Sequence, residues 1–167
     1  MSKTLLTNKM EKLLYSYLHR KQLYCSEVVL HNDNCFYGNE IVDFLGYSTD
    51  KGFSSYEIKV TKRDFKSSAK KSFVGNYNYY VMPRNLYEKV KNEIPKEIGC
   101  IVETTNPFGF TTLTNVKRAS YKELSEYSEK SLLICLMGAL YREATRNTKS
   151  KLRNAIFDFW FKGFYKQ

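Results

Sequence analysis

Between residues 4 and 21 the apolar positions Leu5, Leu6, Met10, Leu13, Leu14, Tyr17 and Leu18 recur at helical spacing. His19, Arg20 and Lys21 follow them, where cations suit the negative end of a helix dipole. The period then changes. Residues 24–31 are short and β-branched around Val28 and Val29, the polar run His31-Asn32-Asp33-Asn34 reads as a turn, and residues 35–45 form a second extended segment, so the pair predicts a hairpin. After a stretch rich in Gly, Ser, Thr and Asp at 47–54, residues 55–61 alternate. Tyr56, Ile58 and Val60 share one face and Glu57 and Lys59 the other, the pattern of a half-buried strand. Residues 62–76 are basic and helical at their start, 77–82 read as a strand stopped by Pro83, and 85–93 as a short helix ending before Pro95. A further short strand spans 99–103, and 106–115 is turn-rich with little periodicity. Residues 121–145 and 149–165 predict two long helices, the second carrying Leu152, Ile156, Phe159, Trp160 and Phe164 along one stripe.

This order (helix, three strands, helix, strand, helix, strand, helical tail) predicts an α/β chain. At 167 residues it is long enough for one domain with a sizeable core and short for two. The expected organisation is a core over 1–120 and a helical extension over 121–167 that packs on the core or forms a homodimer interface.

Charge narrows the partner. The excess of 27 Lys and Arg over 17 Asp and Glu gives +10 at pH 7, which favours a polyanion such as nucleic acid. Cys25, Cys35, Cys100 and Cys135 are scattered, and neither they nor His19 and His31 have metal-ligand spacing, so a zinc site is not expected. No stretch approaches the ~20 apolar residues that span a bilayer, and residues 1–10 lack a continuous apolar run. The expected location is therefore the cytoplasm, without membrane attachment and with reduced thiols.

The chemistry concentrates at two places. In Ile41-Val42-Asp43-Phe44-Leu45 a carboxylate interrupts an apolar run. Such an acid either faces solvent from one side of the hairpin or is buried, and burial costs several kcal/mol, in order of magnitude, unless a partner or a cation offsets it. Fourteen positions later, Glu57-Ile58-Lys59 points a carboxylate and an ammonium to one side of its strand. An E-x-K pair alone is usually a solvated pair of charges. Together, two carboxylates suit a hard divalent cation, and a lysine beside them can orient water or offset charge developing on a phosphate.

Asp43, a loop, then Glu57-Ile58-Lys59 at the end of an extended run resembles the PD-(D/E)XK nuclease motif. The continuation Val60-Thr61-Lys62-Arg63-Asp64-Phe65 with Lys70, then Tyr79-Tyr80-Val81-Met82-Pro83, Ile94-Pro95 and Gly99-Cys100-Ile101-Val102, is similar to the MmcB-like DNA-repair branch of that superfamily over residues 10–103. The resemblance implies a restriction-endonuclease-like core and a nuclease acting on DNA in repair, recombination or mobile-element and phage biology. Its Mg²⁺ or Mn²⁺ would be held by Asp43 and Glu57, with Glu11 of the first helix as a further acid and Glu40 as a weaker spare. The sequence departs from the branch at Asn39, Glu40 and Ile41, where an arginine is usual, and at Ser67 or Ser68, where an aspartate is. In such a nuclease Lys62, Arg63, Lys66, Lys70 and Lys71 would line the groove and meet phosphates, while Tyr79, with Tyr77 and Tyr80, would stack on bases. A second basic patch, Arg142, Arg146, Lys149, Lys151 and Arg153, either extends that footprint or is a solvated helix junction. The alternative function is a catalytically inactive nucleic-acid-binding, accessory or anti-defence protein.

Overall fold

A computed structural model describes residues 4–19, 21–30, 40–67 and 72–147. Helix α1 (Leu5–Leu18) starts at Thr4, whose hydroxyl accepts from the Thr7 N–H, and its buried positions Met10, Leu14 and Leu18 fall one turn apart. Strands β1 (Leu23–Leu30), β2 (Glu40–Ser48) and β3 (Gly52–Ile58) follow, then a single turn of helix, α2 (Lys62–Phe65), and strand β4 (Tyr77–Met82). Helix α3 (Arg84–Val90) runs into a 3-10 turn at Lys91–Glu93, and β5 (Gly99–Thr105), β6 (Thr111–Lys117) and α4 (Glu126–Asn147) complete the described chain.

The strands form one six-stranded sheet in sequential order, β1 to β6. β3, β4 and β5 are parallel neighbours, and the pairs β1/β2, β2/β3 and β5/β6 are antiparallel. Parallel neighbours need crossovers, which the α2 segment and α3 provide. On one face α1 lays Met10, Leu14 and Leu18 over Phe44, Tyr56, Ile58, Val81 and Ile101. On the other, α4 covers the β1–β3 side through Leu132, Cys135, Leu136 and Ala139. Phe65, Leu86 and Val90 cover Tyr80, Met82, Cys100 and Val102 on that same face. The chain adopts the α/β architecture expected from the pattern, with the mixed sheet flanked by helices that the resemblance implied and a C-terminal helix, α4.

Several elements differ from the sequence reading. β3 is buried on both faces rather than one, because α1 and α4 both cover it. The basic helix expected from residue 62 ends at Phe65. Residues 106–115 contain the turn and most of β6, an edge strand whose polar face is exposed. The predicted helix over 149–165, and with it the expected dimer contact and the patch from Lys149 to Arg153, lies outside the described residues. Among the described residues no helix is long and apolar enough to cross a membrane.

Candidate functional site

β2 and β3 pair from Ser48↔Gly52 to Phe44↔Tyr56 and then part. Asp43 and Glu57 are the next residues on the two strands, so the acids sit at the fork. The inward–outward alternation of β2 also breaks there, since Val42 and Leu45, three apart, both join the α4-side core. Across from Asp43, between the paired positions Ser26↔Phe44 and Val28↔Val42, Glu27 of β1 has φ 51°, a left-handed conformation uncommon for a residue with a Cβ. The Asp43 carboxylate reaches across the fork, where its Oδ2 accepts the Ile58 N–H at 2.9 Å.

Glu57 and Lys59 lie at the C-terminal end of β3, on the face shared by α4 and α3, and are only 4% and 7% exposed. Glu57 Oε1 accepts the Ser72 N–H at 3.3 Å, and Oε2 lies 3.7 Å from Lys59 Nζ. The ammonium is also 3.6 Å from Asp64 Oδ1, while Asp64 Oδ2 accepts the Val60 N–H at 3.3 Å. Lys59 thus stands between two acids from different elements. Burial, and next the charge of Asp43, push the Glu57 carboxyl up to about 7, against the opposing pull of Lys59 and the Ser72 N–H. Burial raises Asp43 too, opposed first by its bond from Ile58 and then by Lys59. These are crowded carboxylates short of positive charge.

The sequence-predicted residues divide by location. Asp43, Glu57 and Lys59 come together, and Glu11 on α1 is near enough to add repulsion at Asp43. Glu40 pairs with Leu30 at the outer end of β2, away from the fork. Arg63 is exposed on α2, while Lys62 and Lys66 lie 3.7 and 3.1 Å from the Glu93 carboxylate. Lys70 and Lys71 fall outside the described residues. Tyr79 is half-buried with its ring stacked on Tyr56 at 5.5 Å, Tyr80 is buried against Phe65, and the Tyr77 ring meets Tyr121. These rings are occupied by the protein itself.

Two contributors escaped the sequence reading as site residues. Asp64 is held by a helix cap, its N–H donating to the Thr61 hydroxyl at 3.1 Å, and the spacing Thr61-x-x-Asp64 was the available signal. Ser72 is placed through a buried amide network. Asn78 Oδ1 accepts from the Ser55 hydroxyl and the Gly75 N–H, and Asn76 Oδ1 from the Phe53 N–H. Gly75 lies so close to β3 that a Cβ would stand 2.9 Å from Phe53 O and Ser55 N, so only glycine lets this loop settle there. No local spacing in the sequence announces a contact made through a loop backbone.

The donor set fits a hard divalent cation of the Mg²⁺ or Mn²⁺ kind. Asp43 and Glu57 offer carboxylate oxygens whose mutual repulsion such a charge would relieve, and Mg²⁺ is commonly held by one or two carboxylates with water completing its shell. Glu11 does not close the site into a cage, since among the described residues no three acidic, His or Cys side chains cluster tightly enough to enclose an ion.

No protein-family model and no curated protein matches the sequence. Among solved structures, the chain is similar to the SPO1766 protein of unknown function from Silicibacter pomeroyi, at 15% identity and a TM-score of 0.69, covering 90% of this chain and 97% of that one. The likeness establishes a shared fold.

Proposed function

We propose that this protein is a divalent-metal-dependent nuclease of the PD-(D/E)XK type that hydrolyses phosphodiester bonds in DNA, in repair, recombination or mobile-element biology. One observation carries the reading. The buried Glu57 and the half-buried Asp43 flank the point where β2 and β3 part, with Glu57 titrating near neutrality and the Lys59 ammonium within 3.7 Å of it. A structural ion pair needs one acid and one base and no fork. Crowded carboxylates with displaced pKa values are the arrangement that catalysis requires and that stability disfavours.

Asp43 and Glu57 would hold the cation, which when bound supplies positive charge against a phosphoryl oxygen and activates water. The protein's own groups do the rest. Asp43 accepts the Ile58 N–H and Glu57 the Ser72 N–H, contacts that would hold each carboxylate in place beside the cation. Lys59, tethered by Asp64, brings an ammonium that offsets charge developing on the phosphate and orients the attacking water. Ionised Glu57 is the form that binds a cation, so activity should rise with pH through about 7.

The test is cleavage of labelled linear, single-stranded, nicked and branched DNA with Mg²⁺, Mn²⁺ or EDTA. Wild type is expected to cut in metal and not in EDTA. Asp43→Asn, Glu57→Gln and Lys59→Ala should each lose at least about a hundredfold in rate while keeping a wild-type circular dichroism spectrum. Undiminished cutting by the Glu57→Gln variant overturns the assignment. Tight, salt-sensitive binding by wild type without cutting on any substrate points instead to an inactive nucleic-acid-binding protein on this fold.

A further inference from the structure

The β5–β6 hairpin carries two large apolar side chains that the core does not use. Beyond the last ladder pair, Thr105↔Thr111, its tip Asn106-Pro107-Phe108-Gly109-Phe110 leaves Phe108 84% and Phe110 72% exposed. The tip is nonetheless firmly built. Asn106 Oδ1 accepts the N–H groups of Phe108 and Phe110 at 3.0 and 2.9 Å, and the Asn106 N–H donates to Phe110 O at 2.9 Å. Gly109 closes the turn at φ +83°, and below it the hydroxyls of Thr105 and Thr111, then of Thr104 and Thr114, bond across the strands. Two rings displayed on a rigid turn avoid the ordering cost that flexible side chains meet on binding.

Their position relates them to the carboxylates. Because β3, β4 and β5 are parallel, the hairpin projects from the same edge of the sheet that carries Glu57 and Lys59. The register Ile58↔Val81↔Ile101 sets Lys59 level with Val102. Two strand spacings sideways and the rise from Val102 to the tip put the rings roughly 15–20 Å from Lys59, about five base steps along a nucleic-acid strand. At the ends of β4 and β5 the same edge carries a cleft of about 520 Å³, lined among others by Leu6, Arg84, Asn85, Glu103, Thr104 and Thr105. Lys62, Arg63 and Lys66 follow β3 and Arg84 follows β4 at that edge, in a chain of net charge +10.

A partner that combines negative charge with flat apolar faces is a nucleic acid whose bases are unpaired; a duplex buries those faces in its own stack. We propose that Phe108 and Phe110 form a stacking platform for unpaired bases, so that the preferred substrate carries a single-stranded region within about five nucleotides of the bond to be cut. The platform rests on the nucleic-acid reading above and adds the substrate's structure to it.

The test reads the platform apart from cleavage, in EDTA. Phe108→Trp is placed in a Trp160→Phe background, Trp160 being the chain's one tryptophan. Its emission is titrated with an unpaired oligothymidylate of about ten nucleotides, a blunt duplex and anionic phosphatidylglycerol vesicles, while anisotropy of the labelled oligonucleotide reports binding separately. Quenching by the oligothymidylate well beyond that by blunt duplex, with Phe108→Ala and Phe110→Ala each weakening oligothymidylate binding about tenfold, is the expected result. Oligonucleotide binding without quenching overturns the platform and leaves the nucleic-acid reading standing; no binding to any oligonucleotide overturns both. Emission that responds only to vesicles, or only to protein concentration, assigns the tip to a lipid surface or a second copy and likewise overturns the proposal.

Discussion

Glu57 shows most directly what a buried, crowded carboxyl costs its own fold. Its carboxyl titrates near 7 when folded and near 4.5 in an unconstrained chain, so between those values the folded protein holds a proton that the unfolded chain has released. Stability from this group is then fully present below pH 4.5 and is lost as pH rises through 7. The difference corresponds to roughly 3 kcal/mol, in order of magnitude, at about 1.4 kcal/mol per pKa unit, and Asp43, raised by burial, acts with the same sign. The metal-free protein should therefore melt several degrees lower at pH 8 than at pH 5.5, and Glu57→Gln should remove much of that difference by gaining stability at pH 8. Mg²⁺ or Mn²⁺ should raise the melting temperature of wild type at pH 8 far more than at pH 5.5, because a cation binds the ionised pair. Melting scans across pH, with and without metal, check all three, and a stability that climbs from pH 5.5 to 8 would show that Glu57 is not strained. Asp43 was legible in the sequence because an acid inside an apolar run is conspicuous, and Glu57 because it shares one face of an alternating strand with Lys59. The left-handed φ of Glu27 opposite Asp43 was not, since it arises only once β1 and β2 are paired.

Periodic elements were the ones the sequence disclosed. α1 shows its buried stripe at Met10, Leu14 and Leu18 because it meets the sheet at its own period, and β3 was found as a strand by its alternation although both its faces are buried. β6 stayed hidden, since an edge strand with only Leu113 fully buried has little apolar pattern and is defined by its ladder with β5. α2 was overestimated for the opposite reason. Its basic residues favour a helix, but the chain must turn back after Phe65 so that Ser72 can reach Glu57 and Asn78 can tie the loop to β3. α4 covers the β1–β2 side of the sheet, packing on Val42 and Leu45 to either side of Asp43 in β2. Leu136, fully buried in that contact, should cost about 2–4 kcal/mol on truncation to alanine. Leu133, half-exposed on the same helix, should cost well under 1 kcal/mol when changed to serine. Urea unfolding of the two variants measures the contrast. Equal small losses would mean that α4 is not docked on the sheet as a cooperative part of the fold.

At the scale of the molecule, the parallel run of β3, β4 and β5 gives the sheet one edge where all three strands emerge, and the residues on which the proposals rest gather there: the Glu57–Lys59 pair, the α2 cations, Arg84 and the β5–β6 tip. The charge at this edge is partly held in check. Lys62 and Lys66 share Glu93, whose carboxylate the Lys66 bond keeps below its usual range, so both lysines must exchange a carboxylate for a phosphate when a polyanion binds. That exchange makes the footprint measurable. Each cation that meets a duplex phosphate steepens the fall of log K with log salt by about 0.9, so alanine at Lys62, Arg63 and Lys66 together should flatten the slope by roughly 2–3 and weaken binding alike across sequences. Glu93→Gln should act the other way, tightening binding most at low salt by releasing two lysines at once, without introducing sequence preference. Anisotropy titrations of one labelled duplex between 50 and 200 mM salt distinguish these, since that interval resolves slopes of this size. A triple variant that keeps the wild-type slope would move the phosphate contacts off this edge and onto the basic residues of α4 and beyond.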